Sequence, residues 1–275
     1  MACQSDSSTD YIDDLDDLTI LKLGGSVITD KVAGADGGIL YETLFRIGEE
    51  IAASKRRLII IHGAGSYGHP QAAEHRIQEG VTTKNAKGIY AVHTAVSELN
   101  AAVVFALRKA GLEAVSVHPF HAMCAQNKVL CEYPVASLKE MCKLGLVPVL
   151  HGDVVMDLVQ GACIVSGDQV IKVLGKALFI SSVGIVTNVP GVLAADGSVI
   201  PEISRENARS LFESNIILGS TGPDVTGGMR GKIEELLLLA DAGISSDLFC
   251  CEQLSAFLAK KPHNGTVIRA LSDRK

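Results

Sequence analysis

The sequence has no tryptophan, only 4% aromatic residues and no excess of basic side chains. So few aromatic residues argue against a surface built to bind ligands by stacking on exposed rings. Residues 1–18 hold six aspartates and no lysine or arginine, which accounts for the whole net charge of −6 and leaves the rest of the chain neutral. A neutral body lacks the positive surface that a nucleic-acid-binding protein needs, so we expect no nucleic-acid partner.

Paired cysteine motifs are also missing. The seven cysteines are odd in number and include no CxxC spacing, which indicates a reduced, cytoplasmic protein. His118, His121 and Cys124 recur at every third residue, but no fourth ligand stands at the short spacing that a zinc site uses. We interpret this stretch as a loop after a strand, interrupted by Pro119, and predict no set of metal ligands.

Long apolar runs and targeting signals are absent as well. No run reaches the length of a membrane span, and the N-terminus lacks the basic or apolar regions of a signal or transit peptide, so we expect no membrane partner. Residues 1–18 are acidic and poor in apolar side chains, and we expect them to form a disordered tail. Residues 19–275 are predicted to form a single domain.

That domain alternates short apolar runs with longer helical patterns. Thr19–Leu23 and Leu58–His62 are typical of buried strands, and Leu40–Ser54 between them has helical spacing. Val154–Met156 and Ala162–Val165 have the pattern of an antiparallel hairpin. The repeated alternation predicts an α/β fold, a three-layer αβα sandwich with a mainly parallel central sheet. Further helices are predicted at Asn85–Ala110, Ala136–Lys143, Gln169–Lys176 and Gly231–Ala242, and further strands at Ala114–His118, Val147–His151, Leu178–Thr187 and Asp247–Cys251.

Four segments that follow predicted strands are rich in glycine and small polar residues. Ligands of a parallel sheet bind at the carboxyl ends of its strands, so we expect the functional site to form from these segments. They are Lys22–Ser26, His62–His69, Ser166–Asp168 and Asp224–Met229.

The second segment matches GxGxxG after a strand, the fingerprint of dinucleotide-binding folds. That fingerprint normally follows the first strand of its unit, and the next strand ends in an acidic residue. Here a glycine-rich strand precedes it and no strand ending in Asp or Glu follows, which leaves a nicotinamide-dependent dehydrogenase as an alternative. A Walker A loop is missing, because Thr226 occupies its first glycine position and isoleucine follows Gly231-Lys232.

Two glycine turns on neighbouring strands could instead form a phosphate cradle. Gly24 and Gly25 let backbone N–H groups approach an anion without a Cβ in the way, and Gly63 and Gly65 could do so from the next strand. Two such turns suit two phosphate groups, one on a donor and one on an acceptor. Either segment alone could be an ordinary β–α turn without a ligand. A cation, Lys22, flanks the first turn and an imidazole, His69, flanks the second, which favours a phosphate site.

The same segments resemble a known family, the amino acid kinase superfamily, and more narrowly its isopentenyl phosphate kinase branch. The motifs are KLGGSVITDK (Lys22–Lys31), HGAGSYGH (His62–His69), SGD (Ser166–Asp168), TNVPGV (Thr187–Val192) and DVTGGMRGK (Asp224–Lys232). They stand in the family's order across residues 19–250. The closing histidine of HGAGSYGH is the most specific feature, because it separates this branch from acetylglutamate and aspartate kinases. Fosfomycin kinases share much of the pattern.

The resemblance implies an ATP- and Mg²⁺-dependent kinase that converts isopentenyl phosphate to isopentenyl diphosphate. Phosphoryl transfer depends on positioning and charge neutralisation, and cations of the motifs would supply both. Lys22 and Lys232 would bridge the ATP phosphates, and Lys31 would stabilise the phosphoryl group in flight. Asp168 would hold the lysines and help to hold Mg²⁺, although the residues alone equally allow it to be a helix N-cap. Further residues lining the nucleotide would be Gly24, Gly25, Ser26, Gly65, Gly227 and Gly228.

Whether the acceptor side of the site needs a general base depends on the charge of the acceptor. A phosphate monoester with a second pKa near 6 is largely dianionic at pH 7, so as a nucleophile it needs no general base. By resemblance His69 would donate a hydrogen bond to the acceptor phosphate, together with the backbone N–H groups of Ala64 and Gly167.

The resemblance also implies a homodimer. Three other functions stay open on the sequence alone: a related kinase acting on a phosphonate or a carboxylate, the dehydrogenase, and a nucleotide sensor without catalysis. ATP consumption that depends on isopentenyl phosphate would separate the favoured function from the related kinase and the dehydrogenase. Nucleotide binding without turnover on any acceptor would support the sensor.

Overall fold

The computed structural model describes residues 17–30, 38–178, 180, 182–213 and 228–270. The predicted acidic tail up to residue 16 lies outside this part of the chain, as do two predicted site residues, Lys31 and Gly227.

The described residues contain twelve strands in two sheets. The strands are β1 (Thr19–Leu23), β2 (Leu58–His62), β3 (Ala114–Ser116), β4 (Cys124–Gln126), β5 (Val129–Glu132), β6 (Val147–His151), β7 (Asp153–Asp157), β8 (Gly161–Val165), β9 (Ser182–Thr187), β10 (Glu202–Ile203), β11 (Ser246–Cys250) and β12 (Thr266–Ile268). Eight form the central sheet in the order β10-β12-β11-β9-β1-β2-β6-β3, and only the β11–β12 pair in it is antiparallel. The other four form a smaller sheet in the order β5-β4-β7-β8.

Helices cover both faces of the central sheet. The α-helices of the described residues are α1 (Gly25–Ile28), α2 (Tyr41–Ser54), α3 (His69–Glu74), α4 (Lys87–Lys109), α5 (Pro119–Ala122), α6 (Val135–Lys143), α7 (Gly167–Ala177), α8 (Arg205–Glu213), α9 (Gly228–Ala240) and α10 (Leu254–Leu258). Successive residues of a strand point to opposite faces. Accordingly Ile20 packs in one core with α6, α7 and α9, and Leu21 packs in the other with α2, α4 and α10. The three-layer αβα sandwich with a mainly parallel sheet is therefore confirmed.

The smaller sheet contains the hairpin expected from the sequence. β7 and β8 pair antiparallel with Val154 opposite Ile164, as the apolar pattern predicted. The β4–β5 hairpin extends this sheet and was not predicted. Asp157 ties the two hairpins together, because its carboxylate accepts hydrogen bonds from the backbone N–H groups of Asn127 and Lys128 at 3.1 and 2.6 Å and from the turn after β7.

The folded domain begins before the residue predicted from the sequence. Leu18, assigned to the tail, is buried with 1% of its surface exposed. Asp17, also assigned to the tail, lies 3.1 Å from Arg56 and 2.8 Å from Lys260 in ion pairs. The boundary therefore lies at or before Asp17.

One described helix, α4, is long and apolar enough by length and composition to cross a membrane. It packs against α2, and Leu99, Val103 and Leu107 of its apolar face lie in the core between α2 and the sheet. A core helix of this length passes the same test, so the finding is weak as an indication of a membrane span.

Candidate active site

The glycine turns meet at the carboxyl edge of the central sheet. β1 lies between β2 and β9, and its last residue, Leu23, pairs with His62 and Val186. The segments that leave β1 and β2 therefore start side by side. Gly24 N–H donates to the Val186 carbonyl at 2.9 Å, and Gly63 N–H donates to the Leu23 carbonyl at 2.9 Å, which fixes the start of both turns.

The two turns touch backbone to backbone. A Cβ on Gly25 would overlap the backbone of Gly65, and a Cβ on Gly63 would lie 2.8 Å from the Gly25 nitrogen. Gly65 also has φ +58°, a conformation that favours glycine. Thr29 holds the turns together, since its hydroxyl donates to the Gly25 carbonyl at 2.8 Å and accepts from Ser66 N–H at 3.1 Å. The predicted neighbouring turns therefore form one unit, with Ser26 in α1.

An ion pair between a buried lysine and a partly exposed aspartate lies beside this unit. Lys22 Nζ is 2.5 Å from a carboxylate oxygen of Asp168, and the two side chains are 8% and 21% exposed. Gly167 stands next to the lysine, because a Cβ there would lie 3.5 Å from Lys22 Cε. Breaking a buried pair leaves an uncompensated charge, so the pair fixes where the ammonium group sits. The structure thus brings Lys22, Asp168 and Gly167 together from β1 and α7.

The start of α7 explains why Asp168 is available for this pair. The sequence left open whether Asp168 caps a helix at Gln169–Lys176, but α7 begins at Gly167 and its N-cap is Ser166. The Ser166 hydroxyl accepts from Gln169 N–H at 3.2 Å, and the Gln169 side chain accepts from Ser166 N–H at 2.9 Å. This capping box satisfies the helix end, and the Asp168 carboxylate pairs with the lysine and does not cap the helix.

The predicted acceptor residues lie on the second turn and at the start of α3. Ala64 is partly exposed within the turn, and His69 is exposed as the first residue of α3. Gly68, with φ +79°, redirects the chain before the helix, and a Cβ there would lie 2.7 Å from Val96 of α4. The sequence placed His69 at the end of this turn, and the structure agrees.

The predicted residues near α9 are only partly described. Gly228 is the first residue of α9, and the half-buried Lys232 lies one turn further along it. α9 packs against α7, where Lys172 and Glu235 form an ion pair at 3.5 Å. This packing brings the helix of Lys232 to the helix of Asp168.

Two further histidines lie along the same edge of the sheet. His62 and His151 end the neighbouring strands β2 and β6, and their rings stack with centroids 5.3 Å apart. The His62 ring donates to the Gly63 carbonyl at 3.0 Å and so supports the glycine turn. Burial lowers the pKa of His62 to about 4 and that of His151 to about 2, which keeps both rings neutral at pH 7.

A second histidine group adjoins the first. His118 Nδ1 lies 2.9 Å from His151 Nε2, and His93 Nδ1 lies 3.0 Å from the Asp153 carboxylate. Burial lowers the pKa of His93 and His118 and raises the pKa of Asp153 to about 7. Spacing along the sequence could not reveal this group, because the order of the strands brings its members together.

The short His118-His121-Cys124 spacing gives a different arrangement from a zinc motif. The rings of His118 and His121 approach to 6.2 Å, but the Cys124 thiol lies against the carbonyls of Ala125 and Met156 in the smaller sheet. The cysteines of the described residues are free thiols.

Comparisons with known proteins agree with the geometry. Residues 17–249 match the amino acid kinase family. The chain is 41% identical over 259 residues to the isopentenyl phosphate kinase of Haloferax volcanii, covering 92% of this chain and 98% of that protein. It is 34% identical to the isopentenyl phosphate kinase of Methanocaldococcus jannaschii, covering 79% of this chain and 85% of that protein. A solved structure described as isopentenyl phosphate kinase superposes with a TM-score of 0.78 at 31% identity, covering 91% of this chain and 99% of that one.

Proposed function

Because this chain belongs to the amino acid kinase family, and within it to the isopentenyl phosphate kinases, we propose that it transfers the terminal phosphoryl group of ATP to isopentenyl phosphate. The products are isopentenyl diphosphate and ADP. The observation that carries the proposal is the Lys22–Asp168 pair beside two fused glycine turns. This arrangement offers a fixed cation and backbone without side chains to two phosphate groups.

The donor side of the proposed site is built around Lys22. Its ammonium group, fixed by Asp168, stabilises the negative charge that redistributes during transfer. Lys232 and Lys31 add positive charge to the phosphates. The residues that line the nucleotide are Gly24, Gly25, Ser26, Gly65, Gly227 and Gly228. Since the N–H group of Gly24 donates to the Val186 carbonyl, Gly24 contributes only its lack of a side chain, and the others offer backbone N–H groups.

The partly exposed carboxylate of Asp168 fits a role in holding Mg²⁺, since magnesium prefers oxygen ligands and carboxylates beside phosphates. When bound, the ion neutralises charge on the ATP phosphates. Asp168 would then serve both the ion and Lys22.

The acceptor side of the proposed site needs binding groups more than a base. The acceptor phosphate is largely dianionic at neutral pH and attacks without losing a proton to the protein. His69 and the N–H groups of Ala64 and Gly167 bind that phosphate and orient it in line with the donor. Gly167 lies beside Lys22, so an acceptor held there meets the charge of the donor site.

An apolar cluster next to α3 supports an acceptor with a hydrocarbon tail. Ala72 of α3 packs in it with Val92 and Val154, and Ile89 and Ile164 cover it while partly exposed. Apolar contacts of this kind suit a short isoprenoid chain.

The protein is further proposed to be a cytoplasmic homodimer. Free thiols among the described residues fit a reducing compartment. The dimer rests on the family resemblance.

The test is ADP release measured on a panel of acceptors. Isopentenyl phosphate should support turnover that depends on ATP and Mg²⁺, while fosfomycin, N-acetylglutamate and a reaction without acceptor stay at background. Turnover on fosfomycin or N-acetylglutamate alone would overturn the assigned substrate. ATP binding without turnover on any acceptor would indicate a sensor, and nicotinamide reduction would indicate the dehydrogenase.

A further inference from the structure

We propose that His93, His118 and Asp153 form a binding site for a divalent transition metal of the zinc type, next to the apolar cluster proposed for the acceptor tail. One ligand atom of each residue lies within 4.8 Å of those of the other two. The three come from α4, from the turn between β3 and α5, and from the first residue of β7. Three separate elements therefore converge on one point at the carboxyl edge of the sheet.

The donor set selects the class of metal. Two imidazole nitrogens with one carboxylate oxygen suit zinc, cobalt or nickel, whereas magnesium and calcium take oxygen ligands. Three protein ligands leave a fourth position for water or another side chain. The exposed ring of His121, with its centroid 5.1 Å from that of His93, stands at this opening.

Hydrogen bonds orient His118 as a ligand. His151 Nδ1 lies 2.9 Å from the Gly152 carbonyl, which only accepts, so this nitrogen carries the proton and Nε2 of the neutral ring accepts. His118 Nδ1 therefore donates to His151 Nε2 at 2.9 Å, and its own Nε2 keeps a lone pair. A metal-binding histidine commonly has its other nitrogen fixed in this way.

Asp153 is a buried carboxylate without a lysine or arginine partner among the described residues. It accepts hydrogen bonds from Val154 N–H at 2.8 Å, from Phe120 N–H at 3.3 Å and from His93. A buried carboxylate is costly unless a positive charge compensates it, and a divalent cation between the two histidines supplies that charge.

Solvent can reach the group, because the His93 side chain is 19% exposed and His118 is half-buried.

A contrasting pair elsewhere in the fold lacks a third donor. His263 lies 2.9 Å from Asp247, and no third histidine, cysteine or carboxylate completes a ligand set there within the described residues. This pair provides a matched control.

The test uses the full-length protein, freed of metal with a chelator and titrated with Co²⁺ in excess Mg²⁺. Wild-type protein should bind one equivalent, with the intense visible absorption of four- or five-coordinate cobalt, and Zn²⁺ should displace it and raise the Tm. H118Q and H93Q should weaken binding by about tenfold or more and lose the Zn²⁺-dependent rise in Tm. H263Q should bind as the wild type does. Circular dichroism and ADP release check the fold of each variant.

Two results would overturn the proposal. One is a cobalt spectrum and affinity that do not differ between wild type and H118Q, with H118Q folded. The other is a near-ultraviolet sulfur-to-cobalt band that C131S abolishes, which would assign the metal to Cys131 and its neighbour Cys124. D153N is less suitable as a test, because the Asp153 carboxylate accepts hydrogen bonds from two backbone N–H groups and its replacement also disturbs the fold. H118Q leaves these two hydrogen bonds in place, so the test does not depend on D153N.

Discussion

Lys22 is a buried cation whose position depends on a single described carboxylate, that of Asp168. We expect Lys22→Met to lower kcat on the order of 10²–10³, because a preorganised charge acts mainly on the transition state. Asp168→Asn should lower kcat as well, since the ammonium group loses its anchor. Lys172→Met changes a lysine of α7 whose partner is Glu235 and should leave kcat unchanged.

Steady-state kinetics with circular dichroism would check this prediction. Normal turnover in a folded Lys22→Met protein would mean that the two glycine turns are plain β–α turns. The same experiment with Lys232→Ala should show a loss of kcat of the same order, because the role assigned to Lys232 is also to neutralise phosphate charge.

His69 is predicted to bind the acceptor phosphate and not to abstract a proton. His69→Gln keeps a hydrogen-bond donor and should retain appreciable activity, while His69→Ala should raise the KM for isopentenyl phosphate or lower kcat, with little change in the KM for ATP. A general base would make both variants equally inactive, with a loss of roughly 10²–10⁴. Kinetics against each substrate from pH 6 to 9 distinguish the two roles.

Individual residues differ in how far the sequence reveals them. The turn residues and Lys22 stand in contiguous motifs, so their spacing and the family resemblance located them. Asp168 was ambiguous, because only the structure shows that Ser166 caps α7. The group around His93 and Asp153 joins positions 60 residues apart, and no local pattern records a contact that the strand order creates.

At the scale of elements, the two glycine turns depend on each other. Gly25→Ala would place a methyl group on the backbone of Gly65, and backbone cannot move aside as a flexible side chain can. We expect a loss of stability of about 1–3 kcal/mol and a larger loss of kinase activity, because the N–H groups of both turns shift. Gly38→Ala is the matched control, since a Cβ there meets nothing within 4 Å. Urea unfolding and ADP release measure both effects, and an active, stable Gly25→Ala protein would contradict the close packing.

Asp157 gives the smaller sheet a sensitivity to acid. Burial alone would raise the pKa of its carboxyl group, but backbone N–H groups including those of Lys128 and Val159 lower it well below the usual value. A lowered folded-state pKa stabilises the protein above the unfolded pKa of about 4, and this stabilisation is lost as the pH falls below it. Asp157→Asn should therefore cost about 1–3 kcal/mol at pH 7, and the difference from wild type should shrink below about pH 4.

Urea unfolding at several pH values would measure that difference. The control is Asp196→Asn, because Asp196 is an aspartate of an exposed turn that accepts hydrogen bonds from the backbone N–H and the hydroxyl of Ser198. A gap between wild type and Asp157→Asn that stays constant down to pH 3 would exclude the assigned role.

The bounds of a long helix with a periodic apolar face could be predicted closely from the sequence, whereas the shortest strands could not be predicted. The helix predicted at Asn85–Ala110 is observed at Lys87–Lys109, because a periodic apolar face specifies a helix over many turns. β4 and β10, with three and two residues, carry no such signal. They form because tertiary neighbours offer backbone partners, and that information lies elsewhere in the chain.

At the scale of the whole molecule, β–α alternation was sufficient to predict three layers and a parallel sheet. It could not predict that β11 and β12 pair antiparallel or that a second sheet of four described strands exists. Both depend on short strands whose partners are set by packing. The sequence analysis expected β1 and β2 to be neighbours, but the full strand order, with β9 on the other side of β1, followed only from the structure.

The boundary between tail and domain gives the last prediction. A chain that begins at Asp17 should keep the Tm and kinase rate of the full protein, because residues 1–16 are acidic and poor in apolar side chains. A chain that begins at Thr19 removes the buried Leu18 and the Asp17 ion pairs with Arg56 and Lys260. Loss of a buried leucine costs about 2–5 kcal/mol, whereas the ion pairs of the half-exposed Asp17 carboxylate contribute less, so Leu18→Ala in the full chain should reproduce most of the drop in Tm. Thermal unfolding of the full chain and of these three variants tests this order of stability. A lower Tm for the chain that begins at Asp17 than for the full chain would instead mean that residues 1–16 stabilise the domain.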